Sequence, residues 1–153
     1  MRFDSRAAFQ QHFLELVKRS RTLLQLFDPD YAVLPLGSSE VDAALREFLG
    51  RGGVIELAAH RNPHIEREYP RFLRLLKDYH HHMQCRLTPR NLQQLTDSFV
   101  IGDGVHIVRR FHCDHMRGEA AFDSPASTEI SRERFSQIWR ETLPGLAPSV
   151  TGL

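Results

Sequence analysis

Lysine is almost missing from this chain. It stands only at Lys18 and Lys77, so arginine supplies the other 18 of the 20 basic residues. Guanidinium groups favour bidentate contact with carboxylate or phosphate, although a GC-rich genome produces the same skew. Net charge is equally scarce. The 20 basic and 19 acidic residues leave a formal +1, which gives no global pull toward nucleic acid or an anionic membrane. Cysteine occurs twice, at Cys85 and Cys113, forming neither a C-x-x-C pair nor a disulfide framework. No apolar run approaches the roughly 20 residues that span a bilayer. Near the start, Phe9, Phe13, Leu14 and Leu16 are interleaved with charges and glutamines, unlike the apolar core of a signal peptide. A reduced, cytoplasmic setting without a membrane span is expected. Internal repeats and low-complexity segments are also absent.

What remains is an ordinary globular composition of 153 residues, 41% apolar and 25% charged, enough for one domain with a real core. Asp4 or Ser5 caps a first helix to about Arg19, with Phe9, Phe13, Leu16 and Val17 on one face. Residues 22–27 are nearly all apolar and read as a strand buried on both faces, ended by Asp28-Pro29-Asp30. Ser39 and Asp42 have capping-box spacing before a second helix faced by Val41, Ala44, Leu45, Phe48 and Leu49. Gly50, Gly52 and Gly53 stop it, and residues 54–59 form the next strand. Strand, helix, strand is a right-handed βαβ unit.

Asn62-Pro63 opens a third helical stretch to about His80, which Pro70 must kink or restart. Residues 83–87 form a short strand. Asp103-Gly104 between residues 98–102 and 105–109 signals a hairpin. One more strand is expected at 118–122, and a last helix at 125–142 with Ile130, Phe135, Ile138 and Trp139 facing inward. The expectation is one α/β domain over residues 1–143 with a mixed, mostly parallel sheet flanked by helices. A flexible tail is expected over 144–153.

The stretch Thr96-Asp97-Ser98-Phe99-Val100-Ile101-Gly102-Asp103-Gly104 resembles the segment where phospholipase D superfamily proteins carry an H-x-K-x-x-x-x-D motif. Thr96 takes the histidine place, Ser98 the lysine place and Asp103 the aspartate place. The resemblance extends from Phe9 to Arg140. It includes the Leu23–Asp28 strand, the Glu47–Leu57 helix-to-strand passage and the Phe122–Pro125 entry to the last helix. It points to a short bacterial protein with a degenerate phospholipase D-like domain of uncharacterised function.

In the active superfamily one histidine attacks phosphorus, a second protonates the leaving oxygen, and lysines hold the phosphoryl oxygens. Thr96 cannot form a phosphohistidine, and Ser98 carries no charge. The residues two before the only lysines are Leu16 and Leu75, so no H-x-K exists in the chain. The resemblance therefore implies a pseudoenzyme with no catalytic residues, and a homodimer joined where two motifs would meet. Asp103 alone keeps its place, which an Asp-Gly turn also explains.

Other residues carry chemistry of their own. His60-Arg61 lies just past a strand end, where open α/β sheets bind ligands. With Arg109, Arg110 and His112, which follow the hairpin as Arg117 does, it forms a candidate anion site for a phosphate-bearing ligand; solvated arginines paired with Asp or Glu are the alternative. His112-Cys113-Asp114-His115 is the densest set of metal-ligand types. Adjacent residues on a strand face opposite ways, leaving His112 and His115 as weak metal candidates. His80-His81-His82 reads as a solvated helix end. Asp97, Asp103, Glu119 and Asp123 fall in one region, but the sequence fixes no distance between them and no acid–base role is assigned.

The leading expectation is a non-catalytic binding or scaffold module without a cofactor. A metal- or histidine-dependent phosphodiesterase that re-equips the crevice with His60, His106 or His112 is the alternative. Nucleic-acid binding is disfavoured by the near-zero net charge.

Overall fold

The computed structural model describes residues 1–148. In chain order the elements are β1 (Arg2–Phe3), α1 (Arg6–Arg19), β2 (Leu23–Asp28), α2 (Ser39–Gly50), β3 (Val54–Ala59), α3 (Pro63–Glu68) and α4 (Pro70–Asp78). They continue with β4 (Met83–Leu87), β5 (Ser98–Gly102), β6 (His106–Arg110), β7 (Gly118–Ala121), α5 (Pro125–Glu141) and β8 (Leu143–Pro144).

Local chemistry sets the boundaries. The Ser5 hydroxyl accepts from Ala8 N at 3.1 Å and opens α1. At the other end Ser20 N reaches Leu16 O and Val17 O. The cap of α2 is Ser38 rather than Ser39, accepting from Val41 N at 3.2 Å. Pro70 restarts the helix instead of kinking it. Its ring cannot follow a helical residue, so Tyr69 leaves helical geometry at φ −122°, ψ 62° and separates α3 from α4.

The strands form one eight-stranded sheet in the order β1-β7-β6-β5-β2-β3-β4-β8. Only β2–β3 and β3–β4 pair in parallel. The pairs β1–β7, β2–β5, β4–β8, β5–β6 and β6–β7 are antiparallel. The sheet is thus mixed but mostly antiparallel, contrary to the mostly parallel expectation. Short connections after β5 and β6 permit only hairpin-type reversals, since a parallel return needs a crossover of a dozen or more residues.

Period-two alternation divides the core. Leu24 and Leu26 of β2, Ile55 and Leu57 of β3, Val100 of β5 and Val108 of β6 face the layer built by α1, α2, α3 and α4. Phe27, Ala58, Phe99, Ile101 and Ile107 face the other way, toward Phe135 and Ile138 of α5. Helices therefore cover both faces. Ile130, expected inward on α5, is 80% exposed. No helix among the described residues is long and apolar enough to cross a membrane.

Order continues past residue 143. Leu143 and Pro144 pair with Leu87 and Arg86, and Gly145 N donates to Cys85 O at 3.1 Å. Residues 149–153, the end of the tail expected from 144, lie outside the described residues.

Candidate functional site at the strand ends

The register brings one set of polar residues to one edge of the sheet. Asp28, Ala59 and Leu87 are aligned across β2, β3 and β4, so all three parallel strands end together. At the same edge β5 begins and β6 ends, with Ser98 opposite Arg110. Asp28, His60, Thr88, Ser98 and Arg110 therefore gather beyond the carboxyl ends of the parallel strands, where open α/β sheets place ligands.

An ion pair occupies the centre. Arg110 Nη2 lies 2.8 Å from Asp28 Oδ1, and both side chains are 1% exposed. Arg110 Nε and Nη2 also donate to Ser98 Oγ at 3.3 and 3.1 Å. Arg110 Nη1 donates to Cys113 O at 2.7 Å. The other Asp28 oxygen accepts from Asp30 N at 3.1 Å and Tyr31 N at 2.7 Å. Tyr31 takes a left-handed φ of 63° to make this turn. Its phenol donates to Ala58 O at 2.8 Å, and burial, reinforced by the Asp28 charge, pushes its pKa far above the usual phenol value. Each Arg110 nitrogen and both Asp28 oxygens thus have protein partners.

His60 is similarly committed. Its Nε2 lies 2.9 Å from Leu95 O and its Nδ1 2.6 Å from Thr88 Oγ1. A carbonyl only accepts, so Nε2 donates; in the neutral ring Nδ1 then accepts from the Thr88 hydroxyl. Phe27 packs edge-on against the imidazole at 5.4 Å.

The three motif positions separate into different settings. Thr96 is exposed above the edge, with its carbonyl accepting from Cys113 N at 2.9 Å. Ser98 lies buried beneath it against Arg110. Asp103 is at the far end of β5, five residues and roughly 16 Å along an extended chain from Ser98. There its carboxylate accepts from Arg21 N, Thr22 N and Leu23 N at 2.8–3.0 Å and from the Thr22 hydroxyl at 2.9 Å. Burial works to raise its pKa, but the bonds from Thr22, Leu23 and Arg21 outweigh it and hold the carboxyl below its ordinary value. Asp103 and Gly104 both have positive φ, 54° and 69°, and Val105 N donates to Gly102 O at 3.0 Å. Such a turn suits Asp-Gly.

The remaining anion-site candidates diverge. Arg61 is exposed, with Nη2 3.7 Å from Asp30. Arg109 alternates away from Arg110 and binds Glu119 at 2.7 Å, its guanidinium 5.0 Å from the Phe111 ring centre. His112 lies on the loop beyond β6, at the edge. His106, at the opposite end of β6, accepts from Asp123 N at 2.9 Å through Nδ1, so it cannot join His60 and His112. The four carboxylates are dispersed as well: Arg134 holds Asp97 at 2.6 Å, Arg109 holds Glu119, Asp103 braces its turn, and Arg19 approaches Asp123 at 3.4 Å. Buried Cys85 is inert, its thiol pushed by burial up to about 12.

Asp28, Tyr31 and Thr88 were missed by sequence reasoning. Only Asp28 had a local signal: a carboxylate ending an otherwise apolar buried strand is costly unless paired. Clefts also lie away from this edge. One of about 550 Å³ opens between α1 and α2 beside Lys18, Arg21, Glu47 and Arg51, and one of about 330 Å³ lies at Arg2, Phe111 and Arg117.

A family model described as "Domain of unknown function (DUF7931)" matches residues 5–146. No curated protein matches the sequence. Among solved structures the chain is similar to Nuc from Salmonella typhimurium, a phospholipase D family member, with TM-score 0.65, 12% identity and 88% of each chain covered. It is also similar to NucT from Helicobacter pylori, with TM-score 0.63, 9% identity and coverage of 95% of this chain and 98% of that one. TrmBL2, an archaeal chromatin protein whose structure shows a novel mode of DNA binding, matches with TM-score 0.71 and 8% identity. That match covers 95% of this chain but spans about half, 53%, of TrmBL2. At these identities the likeness establishes the fold, a phospholipase D-like α/β domain.

Proposed function

We propose that this chain, which belongs to the DUF7931 family, is a non-catalytic phospholipase D-like domain acting as a binding or scaffold module. The buried Asp28–Arg110 pair carries this reading. Transfer of a phosphoryl group needs donors free to meet its oxygens, yet Arg110 is spent on Asp28, Ser98 and Cys113. Freeing it leaves an uncompensated buried carboxylate, at a cost of about 3–5 kcal/mol. Thr96 and Ser98 supply hydroxyls where the resemblance calls for imidazole and ammonium.

Incubation with bis-p-nitrophenyl phosphate tests the reading. No hydrolysis above buffer is expected, and Thr96→His/Ser98→Lys does not restore it while Arg110 stays paired. Wild-type turnover abolished by His60→Ala or His112→Ala would favour the re-equipped hydrolase instead. A homodimer belongs to the same proposal, with sedimentation equilibrium as its check.

One observation favours nucleic acid as the ligand. Arg67, Arg71, Arg74 and Lys77 are all exposed along α3 and α4, followed by exposed His80, His81 and His82. Exposed Glu66, Glu68 and Asp78 stand on the same helices and offset most of that charge. The reading therefore leans on the row of guanidinium groups and on the similar fold of TrmBL2, which occurs in a DNA-binding protein. Retention on duplex DNA that falls steeply with salt supports this reading; salt-independent retention or none removes it.

A further inference from the structure

Residues 111–117 leave β6 and return to β7 as a loop, not as continued strand. His115 N donates to His112 O at 3.1 Å, closing a turn over His112-Cys113-Asp114-His115. The side chains therefore do not alternate. One ring nitrogen of His112, Cys113 Sγ and an Asp114 carboxylate oxygen all lie within 4.8 Å of one another. Cys113 Sγ is 3.9 Å from Asp114 Oδ1, and His112 Nδ1 is 3.8 Å from Asp114 Oδ2. Around a tetrahedral ion with bonds of about 2.0–2.3 Å, neighbouring donors stand roughly 3.3–3.8 Å apart. The two Asp114 separations are within about 0.1 Å of that range, and the 4.8 Å limit on the set leaves at most about 1 Å for side-chain rotation to close. The His115 ring centre is 5.3 Å from that of His112, close enough to offer a fourth donor.

The backbone beneath these side chains is held by groups that take no part in ligation. Phe111 N donates to Arg117 O and Cys113 N to Thr96 O, both at 2.9 Å. The buried Arg110 guanidinium donates to Cys113 O at 2.7 Å. The competing bond at the donors is from Asp114 N to His112 Nδ1, at 3.0 Å, which a ring rotation releases.

We propose that the His112–Cys113–Asp114 turn, completed by His115, binds one borderline divalent transition ion of the zinc class. Imidazole, thiolate and carboxylate together suit such an ion better than magnesium or calcium, which prefer oxygen alone. The site lies on the rim of the strand-end edge, beside Thr96. Its donor side chains are not those of the Asp28–Arg110–Ser98 cluster, although Arg110 also holds Cys113 O. Cobalt absorption and phosphodiester turnover are separate readouts, so the failure of one is distinguishable from the failure of the other.

Cobalt(II) titration of the full chain tests the proposal, with zinc competition and circular dichroism to verify folding. A variant lacking the exposed run (His80→Ala/His81→Ala/His82→Ala) serves as background. One equivalent of cobalt is expected to bind with thiolate-to-cobalt charge-transfer absorption, displaced by zinc. Cys113→Ser abolishes that absorption, and His112→Ala weakens affinity on the order of tenfold or more. Absence of the absorption in the background variant overturns the proposal. So does absorption that survives Cys113→Ser, or cobalt binding that disappears with the histidine run alone.

Discussion

Asp28 and Arg110 are each 1% exposed at the side chain, so neither charge has water to fall back on. Removing one partner of such a pair typically costs about 3–5 kcal/mol, whereas replacing both with well-packed apolar groups is often neutral or stabilising. Arg110→Ala is therefore expected to lower unfolding free energy by about 3–5 kcal/mol, read as a shift of the urea midpoint. Asp28→Leu/Arg110→Met is expected to recover part of it; a double variant as unstable as the single would show that the pair is not the cause. Asp103 makes a pH-dependent counterpart. Its folded pKa lies below the ordinary 3.8, so its contribution is fully present above that value and is lost as pH falls through the depressed one. Asp103→Asn keeps a side chain tolerant of positive φ but gives up the charge. The stability gap between wild type and Asp103→Asn is expected to be widest above pH 4 and to narrow on acidification, measured by denaturation across pH. The positions Thr96, Ser98 and Asp103 could be named from the sequence because they lie close together along the chain, around β5. The meeting of Asp28 with Arg110, 82 positions apart, depends on sheet register, which no local pattern encodes.

The hairpin β5–β6 illustrates how register decides the role of a side chain. Sequence places the second strand at 105–109, whereas the structure pairs Gly102 with His106 and Ser98 with Arg110. One residue of displacement is enough to exchange the faces of neighbouring side chains, and here Arg110 is buried while Arg109 lies beside Glu119. The hairpin is also crowded from behind: a Cβ added at Gly102 would lie 2.0 Å from Ser20 Oγ, the cap of α1. Gly102→Ala is expected to cost about 1–3 kcal/mol, with Ser20→Ala restoring part, as thermal denaturation of the single and double variants can read. On α5 the expected inward set held at Phe135 and Ile138 but not at Ile130. Thr128, at 0% exposure, donates through Oγ1 to Gly104 O at 2.7 Å, so the first turn of α5 is covered and the buried stripe runs through Thr128, Phe135 and Ile138. Ile130, about 160° around the helix from Thr128, meets solvent. Ile130→Lys should change stability within about 0.5 kcal/mol, against about 3–5 kcal/mol for Phe135→Ala. An isoleucine's apolar character is a weaker guide to burial than its position on the 3.6-residue period.

Helix and strand order was largely visible along the chain, and with it the α/β class. Strand direction was less so: the βαβ units around β2, β3 and β4 are parallel as expected, but the hairpins and two edge strands reverse the balance. Those edge strands, β1 and β8, contain two residues each, too few to leave a periodic trace. A nucleic-acid ligand would be recognised by the molecule as a polyelectrolyte. Charge reversal at Arg67, Arg74 and Lys77 is then expected to reduce the slope of log affinity against log salt by about 0.9 for each phosphate no longer neutralised, measured by fluorescence anisotropy on duplex DNA. The terminal strands have a different consequence. Among the described residues each sheet margin is a two-residue stub, and a foreign peptide has little backbone there on which to template itself. Self-association must then proceed through side-chain surfaces, without an intermolecular ribbon, and crowded solutions should resist conversion to fibrils.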